Sequence, residues 1–467
     1  MKPRDYTPLL TELEQDYRDH APTSAVLHTE AHRSLIDGGS HALRLHQPFP
    51  PRIVAAKGGW VRDEDGHAIL DFWQGHLANV LGHNPQVVTT ALARALGDDW
   101  GLQTGFTDRL QIETAEILCR QTGAERTRFT TSGTLATMYA IMLAQSFTQR
   151  DRVMKVGGGW HGAHPWGLKG IHHHPGRPRF QQLDSEGLPA LLADAVVVTR
   201  FNDTDLLRDH FRRHGDQLAC FILEPFVGAG GFIAASREYV QTARELTRRH
   251  GTLFIFDEVI TGFRFRPGDV GRLYDVEPDL ATFGKTIGGG MPVSAVAGRA
   301  DVLELAGKSQ EQRVRFSGGT YSAHPAAMLA ARTVMNHLTD HETEIYPQLA
   351  ELGQAIRVAV ENAFTEEGIH AQCTGYGNDV LTGSSLFRIH FPYQPGAELT
   401  SPDQVSDPAL CDTTLAERVL PLALLLEDVY LLLAHGGVAT AHTAADVETL
   451  EAACRRVARR LQPHVGS

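Results

Sequence analysis

Two carboxylates and a lysine follow apolar stretches of the sequence. TLFIFDEVITGFR, residues 252–264, is apolar up to Asp257 and Glu258, and LATFGK places Lys285 directly after a later apolar run. A carboxylate at the end of a buried strand costs several kcal/mol unless a cation or hydrogen-bond donors compensate for its loss of water. We therefore expect a positively charged group to face Asp257.

A protonated heterocycle is one candidate for that group. An aspartate held against the ring nitrogen of pyridoxal phosphate keeps the nitrogen protonated, so that the ring can accept the electrons of a developing carbanion. The same cofactor needs a lysine for a Schiff base, and burial beside a cationic ring would favour the neutral amine of Lys285. Alone, Lys285 is also consistent with a surface lysine on a glycine turn. Together with Asp257 it predicts a pyridoxal phosphate site with these two catalytic residues.

The phosphate of such a cofactor would need hydrogen-bond donors, and TTSGTLATM offers them. Ser132 and Thr134 supply hydroxyls, Gly133 allows close approach, and a helix that begins near Thr134 exposes backbone amides. The same residue types also cap ordinary helices. Trp160, in GGGWHG, could stack on the cofactor ring or simply fill space at a strand end.

These residues need a scaffold, and residues 125–300 alternate short apolar runs with longer amphipathic segments. The predicted strands are RTRFTT at 126–131, RVMKV at 152–156, AVVVTRF at 195–201, CFILEP at 220–225, TLFIFD at 252–257 and LATFG at 280–284. Continuous apolar strands alternating with helices predict an α/β fold with a parallel sheet covered on both faces. Ligands of such sheets collect outside the carboxyl ends of the strands. The residues there are Ser132, Gly133, Thr134, Trp160, His161, Asn202, Asp203, Glu224, Asp257 and Lys285.

The two ends of the chain have a different pattern. GWVRDEDGHAILDF predicts short strands joined at DEDG, and TAADVETLEAACRRVARRLQ predicts an amphipathic helix. We predict that residues 1–90 and 326–467 build a smaller α+β domain and that residues 91–325 form the large domain. The Pro, Gly and Asp residues between 393 and 412 predict a mobile loop.

Composition excludes several other classes. The chain has 467 residues, and 43 Lys and Arg against 55 Asp and Glu give a net charge of −12, which argues against a nucleic-acid partner. Neither a secretion signal nor a membrane span is expected. Five widely spaced cysteines predict a reducing, cytoplasmic setting. IHHHPG, with His172, His173 and His174, could bind a metal, but consecutive residues rarely face one ion, so we favour an exposed loop and expect no metal.

The motifs resemble those of the class III aminotransferases, a family of fold type I pyridoxal phosphate enzymes. LFIFDEVITGFR followed by PDLATFGKTIGGGMPVSAVAGR is similar to the central motif of that family, and SGTLATM, GWHGAH, FND, LEP and GGTYSAHP extend the resemblance from about residue 30 to 460. It implies a mostly parallel large-domain sheet covered by helices, and a small α+β domain. It also implies that Lys285 carries pyridoxal phosphate and that Asp257 contacts the ring nitrogen.

The resemblance assigns further cofactor contacts. Phosphate contacts are implied for Gly133 and Thr134, ring packing for Val259, and ring stacking for Trp160, where the family usually has Tyr or Phe. Thr320 is implied to reach the phosphate of the neighbouring subunit in a homodimer. The remaining cofactor neighbours that we predict are Ser132, His161, Asn202 and Glu224. For Asn202 and Glu224 a structural hydrogen-bonding role is an equal alternative.

Within the family, the sequence resembles the branch of glutamate-1-semialdehyde aminomutase and of aminotransferases for β-amino acids or phenylglycine. His76 stands where the aminomutase has the tryptophan of its SWG motif, and Ala434 stands where it has an acidic residue. We therefore predict a ping-pong aminotransferase that moves an amino group from an amino acid or amine to a keto acid or aldehyde, with the aminomutase as the alternative. A protein that kept the fold only as a binding module would need a broken Lys285 or Asp257.

A substrate carboxylate would need a fixed guanidinium. Arg44 lies where relatives carry a carboxylate-binding arginine, although the alignment also allows His41 at that place. Arg388 is the second candidate, and each arginine is also consistent with a solvated side chain. Trp73 and His76 are predicted to shape the pocket or to pack beneath it.

Overall fold

The computed structural model of the protein describes residues 4–98, 102, 104–174, 180–308 and 311–465. Its strands are β1 (Ile53–Lys57), β2 (Trp60–Asp63), β3 (Ala68–Asp71), β4 (Arg126–Thr130), β5 (Arg152–Val156), β6 (Val196–Thr199), β7 (Leu218–Leu223), β8 (Phe226–Val227), β9 (Ile233–Ala234), β10 (Leu253–Glu258), β11 (Leu280–Phe283), β12 (Ser294–Gly298), β13 (Gln372–Thr374), β14 (Leu386–His390), β15 (Val429–Tyr430) and β16 (His435–Gly437).

The helices enclose these strands. They are α1 (Thr7–His20), α2 (Pro22–Ala31), α3 (Gln74–Leu77), α4 (Gln86–Gly97), α5 (Arg109–Thr122), α6 (Gly133–Thr148), α7 (Leu192–Ala195), α8 (Thr204–His214), α9 (Arg237–His250), α10 (Ala300–Leu303), α11 (Pro325–Asp340), α12 (Glu342–Glu366), α13 (Pro402–Val405), α14 (Leu420–Leu425) and α15 (Ala444–Val465).

A seven-stranded sheet in the order β4-β12-β11-β10-β7-β5-β6 lies at the centre. The strands from β11 to β6 are parallel, whereas β12 runs antiparallel to both of its neighbours. Side chains alternate between the two faces, so that Cys220 and Ile222 pack in one core with α6, and Phe221 and Leu223 pack in the other. The predicted α/β fold with a mostly parallel sheet is confirmed.

The sequence prediction of this sheet differs from the structure mainly at β12. Each of the six predicted strands is present, with ends shifted by up to two residues, and β10 includes Glu258. The prediction did not include β12, whose sequence SAVAG is rich in small residues and lacks the bulky apolar run of the other strands.

Both ends of the chain contribute to smaller sheets. β1, β2 and β3 form an antiparallel meander, with DEDG between β2 and β3, and β15 from the C-terminal part pairs with β3 in parallel. β13, β14 and β16 form a second small sheet. The pairing of β3 with β15 supports a small domain built from both chain ends, and we keep the division at residues 90 and 325 as a proposal.

Residues 393–412 are buried in part, around α13, and exposed elsewhere. They include α13, and Ser401, Pro402 and Asp403 are buried. A guanidinium nitrogen of Arg200, which follows β6, lies 2.9 Å from a carboxylate oxygen of Asp403. The residues around α13 are therefore anchored, and the predicted mobility of the exposed residues of this segment stays a prediction.

The structure bears on two other features of the chain. All five cysteines are unpaired. None of the helices in the described part of the chain combines the length and the apolar character that a membrane span requires.

Candidate active site

The register of β10 and β11 brings Asp257 and Lys285 to one edge of the sheet. Asp257 pairs with Thr282, and Lys285 follows the end of β11 by two residues. Burial lowers the pKa of the Lys285 amine, and the nearby carboxylates of Asp257 and Glu224 act in the opposite direction. The two side chains that the sequence singled out therefore interact electrostatically.

The carboxylate of Asp257 is buried and held by three donors. Thr282 Oγ1 and the Val259 amide donate to Oδ1 over 3.0 and 3.2 Å, and His161 Nδ1 lies 2.7 Å from Oδ2. Because an ionised carboxylate can only accept, Nδ1 of His161 must carry the proton of that bond. Burial lowers the pKa of His161, against the effect of Asp257. The result is a fixed anion at the strand end, as a ring nitrogen would require.

Glu224 follows β7 and holds the segment that carries Trp160. Its Oε1 accepts from the Trp160 amide over 2.8 Å, and its Oε2 accepts from the Gly228 amide over 3.0 Å. Burial, and then the charge of Asp257, raises the pKa of this carboxyl group. The bonds are those of the structural role, and Glu224 also lies near Lys285.

Val259 packs closely against two glycines. A Cβ atom added to Gly133 would lie 3.2 Å from both methyl groups of Val259, and one added to Gly284 would lie 3.3 Å from Val259 Cγ1 and 2.8 Å from Ser294 Oγ. The Val259 side chain therefore lies close to the backbone at the start of α6 and to the backbone that follows β11. A side chain at either glycine would crowd Val259, the residue predicted to pack on the cofactor ring.

The start of α6 has the features expected of a phosphate site. Ser132 caps the helix by accepting a hydrogen bond from the Leu135 amide over 3.3 Å, and the helix begins at Gly133. Thr134 Oγ1 accepts from the Ala163 amide at 3.4 Å. Together with the fixed anion at Asp257 and the amine of Lys285, the residues at this edge fit pyridoxal phosphate.

The three remaining predicted cofactor neighbours are Asn202, Trp160 and Thr320. Asn202 donates to the carbonyls of Ala234 and Thr400 and accepts from the Ser236 amide, which is the structural role that its sequence position also allowed. Trp160 is 40% exposed, so its indole does not fill a core. Thr320 is exposed on this chain.

Four of the predicted substrate residues form one cluster. Arg44 Nε donates to His76 Nε2 over 3.0 Å, and the His76 ring centroid lies 4.6 Å from that of His41 and 4.8 Å from that of Trp73. Burial, with contributions from His41, Arg44 and Lys285, lowers the pKa of His76 to about 3. The cluster therefore lies near the amine of Lys285, and His76 is neutral.

Arg388 has a different environment. It is buried in β14, and its Nη2 lies 2.6 Å from Glu417 Oε1. Its charge is therefore already balanced within the chain. Of the two candidate guanidinium groups, only Arg44 belongs to the cluster around His76.

Two buried cations that interact with the site residues were missed in the sequence. Lys155 Nζ donates to the carbonyls of Gly159, Gly167 and Lys169, which lie in the segment that carries Trp160 and His161. A lysine inside the apolar run RVMKV is the signal that could have identified it. Arg264, which ends the stretch TLFIFDEVITGFR, is the other.

Two histidines of the IHHHPG motif contact one carboxylate. His172 Nδ1 and His174 Nε2 lie 3.1 and 3.2 Å from Asp184 Oδ1. A separate group, in which His20 and His67 lie beside Asp428, has the spacing of a metal site among the described residues. However, the two rings stack with a centroid distance of 3.9 Å and an interplanar angle of 8°, so their lone pairs lie in two nearly parallel planes and do not converge on one point. We assign no metal to either group.

Comparisons with known proteins agree with this site. The model of the family "Aminotransferase class-III" matches residues 43–377. The chain is 35% identical to the glutamate-1-semialdehyde 2,1-aminomutase of Halobacterium salinarum over 377 residues, which cover 79% of this chain and 80% of that protein. Among solved structures, it is similar to an omega-transaminase from Sphaerobacter thermophilus, with a TM-score of 0.83 and 31% identity over 93% of this chain and 97% of that chain.

A second solved structure gives the same result. A β-phenylalanine aminotransferase from Variovorax paradoxus is similar with a TM-score of 0.83 and 26% identity, over 98% of both chains. The extent of the family match and the identity to the aminomutase are each sufficient to assign the family, and the residues at the sheet edge fit its cofactor. The chain therefore belongs to the class III aminotransferases and is a pyridoxal phosphate-dependent enzyme.

Proposed function

We propose that the protein is an aminotransferase for carboxylate-bearing amino donors, which works in two half-reactions through Lys285. The observation that carries this proposal is the position of the Arg44–His76 pair near the amine of Lys285. The donor leaves as a carbonyl product, and a keto acid or aldehyde then takes up the amino group.

The residues at the sheet edge have distinct roles in this proposal. Pyridoxal phosphate, when bound, supplies the electron-accepting ring on which amino groups are exchanged. Asp257 would hold the charge of the ring nitrogen, and Gly133, Thr134 and the first amides of α6 would bind the phosphate. The Nζ amine of Lys285 would take and return the substrate proton, and burial favours the neutral form that this needs.

Arg44 is the proposed carboxylate ligand. Its Nε is bound to His76, which leaves the two terminal nitrogens of the guanidinium for a substrate. Two parallel N–H···O bonds orient a carboxylate as well as bind it. The similarity to the β-phenylalanine aminotransferase makes β-amino acids one donor class to test, beside α-amino acids.

Intramolecular transfer of the aminomutase type is the second candidate, because the relative from Halobacterium salinarum has that name. His76 and Ala434, which replace the tryptophan and the acid of the aminomutase motifs, favour the aminotransferase. We further propose a cytoplasmic homodimer in which Thr320 reaches the neighbouring phosphate. The exposure of Thr320 and the unpaired cysteines are consistent with this proposal.

A donor screen at the cofactor absorption band tests the function. We expect α- or β-amino acids, but not simple amines, to change the absorption, and a keto acid to restore it. The Lys285→Ala variant is the matched control and should give no turnover. An equal response to simple amines would contradict a carboxylate site.

Isotopic nitrogen separates the two candidate reactions. A donor labelled with nitrogen-15 transfers the label to a separate added acceptor in an aminotransferase, whereas an aminomutase isomerises its substrate without net transfer of the label to an added acceptor. Failure of the label to reach any added acceptor would overturn the proposal.

A further inference from the structure

The backbone around His76 has an unusual conformation. Gln74, Gly75, His76 and Leu77 have φ angles of 45°, 61°, 61° and 66°. The left-handed region costs a residue with a side chain about 1–2 kcal/mol, and three of the four residues carry one. Such a turn persists only when its surroundings hold it, and outliers of this kind cluster at functional sites. We call residues 74–77 the left-handed turn.

One end of the left-handed turn is held by Asp71. The carboxylate of Asp71 accepts from the amides of Trp73 and Gln74 over 2.7 and 3.0 Å, and the Gln74 side chain donates to the Asp71 carbonyl over 2.8 Å. These bonds fix the entry of the chain into the turn. They do not fix its exit at Leu77.

The exit is held by Arg264. Arg264 Nη2 donates to the Leu77 carbonyl, Nη1 donates to Ser385 Oγ over 3.1 Å, and Nε donates to the Ile260 carbonyl over 3.0 Å. One guanidinium therefore connects the segment after β10 with both ends of the chain.

The charge of Arg264 is not balanced in the usual way. The side chain is 3% exposed, and within the described residues it forms no ion pair with a carboxylate. Burial lowers its pKa to about 10. A buried cation bound only by neutral acceptors is costly, and a neutral residue of similar size would pack at lower cost. This cost suggests a role beyond packing.

We propose that Arg264 is a positioning residue: by binding the Leu77 carbonyl it fixes the left-handed turn and so presents Trp73 and His76 to the substrate beside Lys285. His76, the partner of Arg44 in the substrate cluster, is then positioned by a residue that does not itself belong to the cluster.

The electrostatics of the site agree with this position. Burial is the main cause of the lowered pKa of Lys285, and the charge of Arg264 lowers it further, against Asp257 and Glu224. His76 also interacts with Lys285. Arg264 thus lies close enough to the amine for its charge to act there as well as at the turn.

Hydrogen exchange of the holoenzyme tests the proposal without relying on activity. In Arg264→Met, the amides of residues 73–79 should exchange at least about ten times faster than in the wild type, because the Leu77 carbonyl loses its hydrogen bond from a charged group. Arg357→Met is the matched control. Arg357 is equally buried and donates to the carbonyls of Ser384 and Leu386 over 3.0 and 2.8 Å, but it does not contact the turn.

Arg357→Met should leave the exchange of residues 73–79 unchanged. Unchanged exchange of this segment in Arg264→Met, or equal acceleration in both variants, would overturn the proposal. If Arg264→Met does not fold, Arg264→Lys replaces it: the ammonium keeps the charge but not the fork, so the same segment should lose part of its protection. Full wild-type protection in Arg264→Lys would also overturn the proposal.

A kinetic measurement adds a second result, which rests on the proposed function. We expect Arg264→Lys to raise the KM for a carboxylate donor about ten-fold, with a smaller change in kcat, because the turn acts on binding. Should the exchange result hold while no donor reacts with the wild type, the positioning role stands and the proposed substrate class fails.

Discussion

Nδ1 of His161 lies 2.7 Å from Oδ2 of Asp257, and both side chains are buried. The bond joins the end of β10 to the segment that follows β5, so the acid that we propose for the ring nitrogen is oriented by a residue from a different part of the sheet edge. Since the other carboxylate oxygen receives the two remaining donors, each oxygen of Asp257 has its own support.

His161→Phe tests this support. The phenyl ring keeps the bulk of the imidazole but donates no hydrogen bond to Oδ2, so one oxygen of the buried carboxylate loses its donor. We expect kcat/KM to fall about ten-fold or more and the cofactor to bind more weakly, since a hydrogen bond to a charged group contributes about 1.5–3 kcal/mol. Asp257→Asn, measured in parallel, should lose more. Equal activity in His161→Phe and the wild type would contradict this role.

Much of the site follows from the sequence because the carboxyl ends of parallel strands meet at one edge. Asp257, Glu224 and Lys285 each follow an apolar run, and this pattern alone placed them together. The supporting cations could not be found in that way. Arg264 binds the backbone carbonyl of Leu77, which is 187 positions away in the chain. Since every residue has such a carbonyl, the residue type of Leu77 does not indicate the contact.

The prediction of the fold from the sequence was limited in the same way. Bulky apolar runs predicted six strands, whereas SAVAG in β12 lacks them and pairs with β4 and β11 through its backbone. Residues 393–412 have the composition of a loose loop, but the pairing of Asp403 with Arg200 anchors them. The residue composition of a segment therefore does not predict its tertiary contacts.

Lys155→Met should weaken the segment that carries Trp160 and His161. Its ammonium donates to three carbonyls at 2.8–3.2 Å, and a methionine leaves all three without that donor in a buried place. We expect a loss of about 3 kcal/mol in the free energy of unfolding and a weaker cofactor affinity, both measurable by denaturant titration and by cofactor release.

Lys169→Met is the matched control for Lys155→Met. The Lys169 amine donates to the carbonyls of Ala193 and Val196, which lie outside the segment that carries Trp160 and His161. It should lower the stability without a comparable change in cofactor affinity. A cofactor affinity that falls equally in both variants would show that the effect is one of general stability.

Substitutions of the two candidate arginines should affect different properties of the enzyme. Arg44→Gln removes the free guanidinium beside His76, so the KM for carboxylate donors should rise about ten-fold or more while any slow reaction with simple amines is unchanged. Arg388→Gln leaves Glu417 without its partner, and its main effect should be on the free energy of unfolding. A rise in KM confined to Arg388→Gln would reverse the assignment.

The environment of His164 predicts a specific dependence of stability on pH. The Gly167 amide donates to His164 Nδ1 over 3.2 Å, so Nδ1 must be unprotonated, and Nε2 lies 3.2 Å from Thr137 Oγ1. Burial, with a smaller contribution from His161, lowers the pKa of His164 to about 4. Protonation at Nδ1 would break the bond from Gly167.

The direction of this pH dependence follows from the difference in proton binding between the folded and the unfolded state. The pKa of a histidine in the unfolded chain is about 6.5, so between about 6.5 and 4 the unfolded state takes up the proton and the folded state does not. The contribution of neutral His164 to the stability is complete above the upper pKa and is lost as the pH falls towards the lower one.

His164→Asn keeps a side-chain acceptor near the Gly167 amide and does not titrate. Denaturant unfolding at pH 7.5 and 5 should therefore show that the wild type loses more stability than the variant, by on the order of 1–2 kcal/mol. Because the other histidines titrate in both proteins, they cancel in this difference, and equal losses would place the pKa of His164 near its ordinary value.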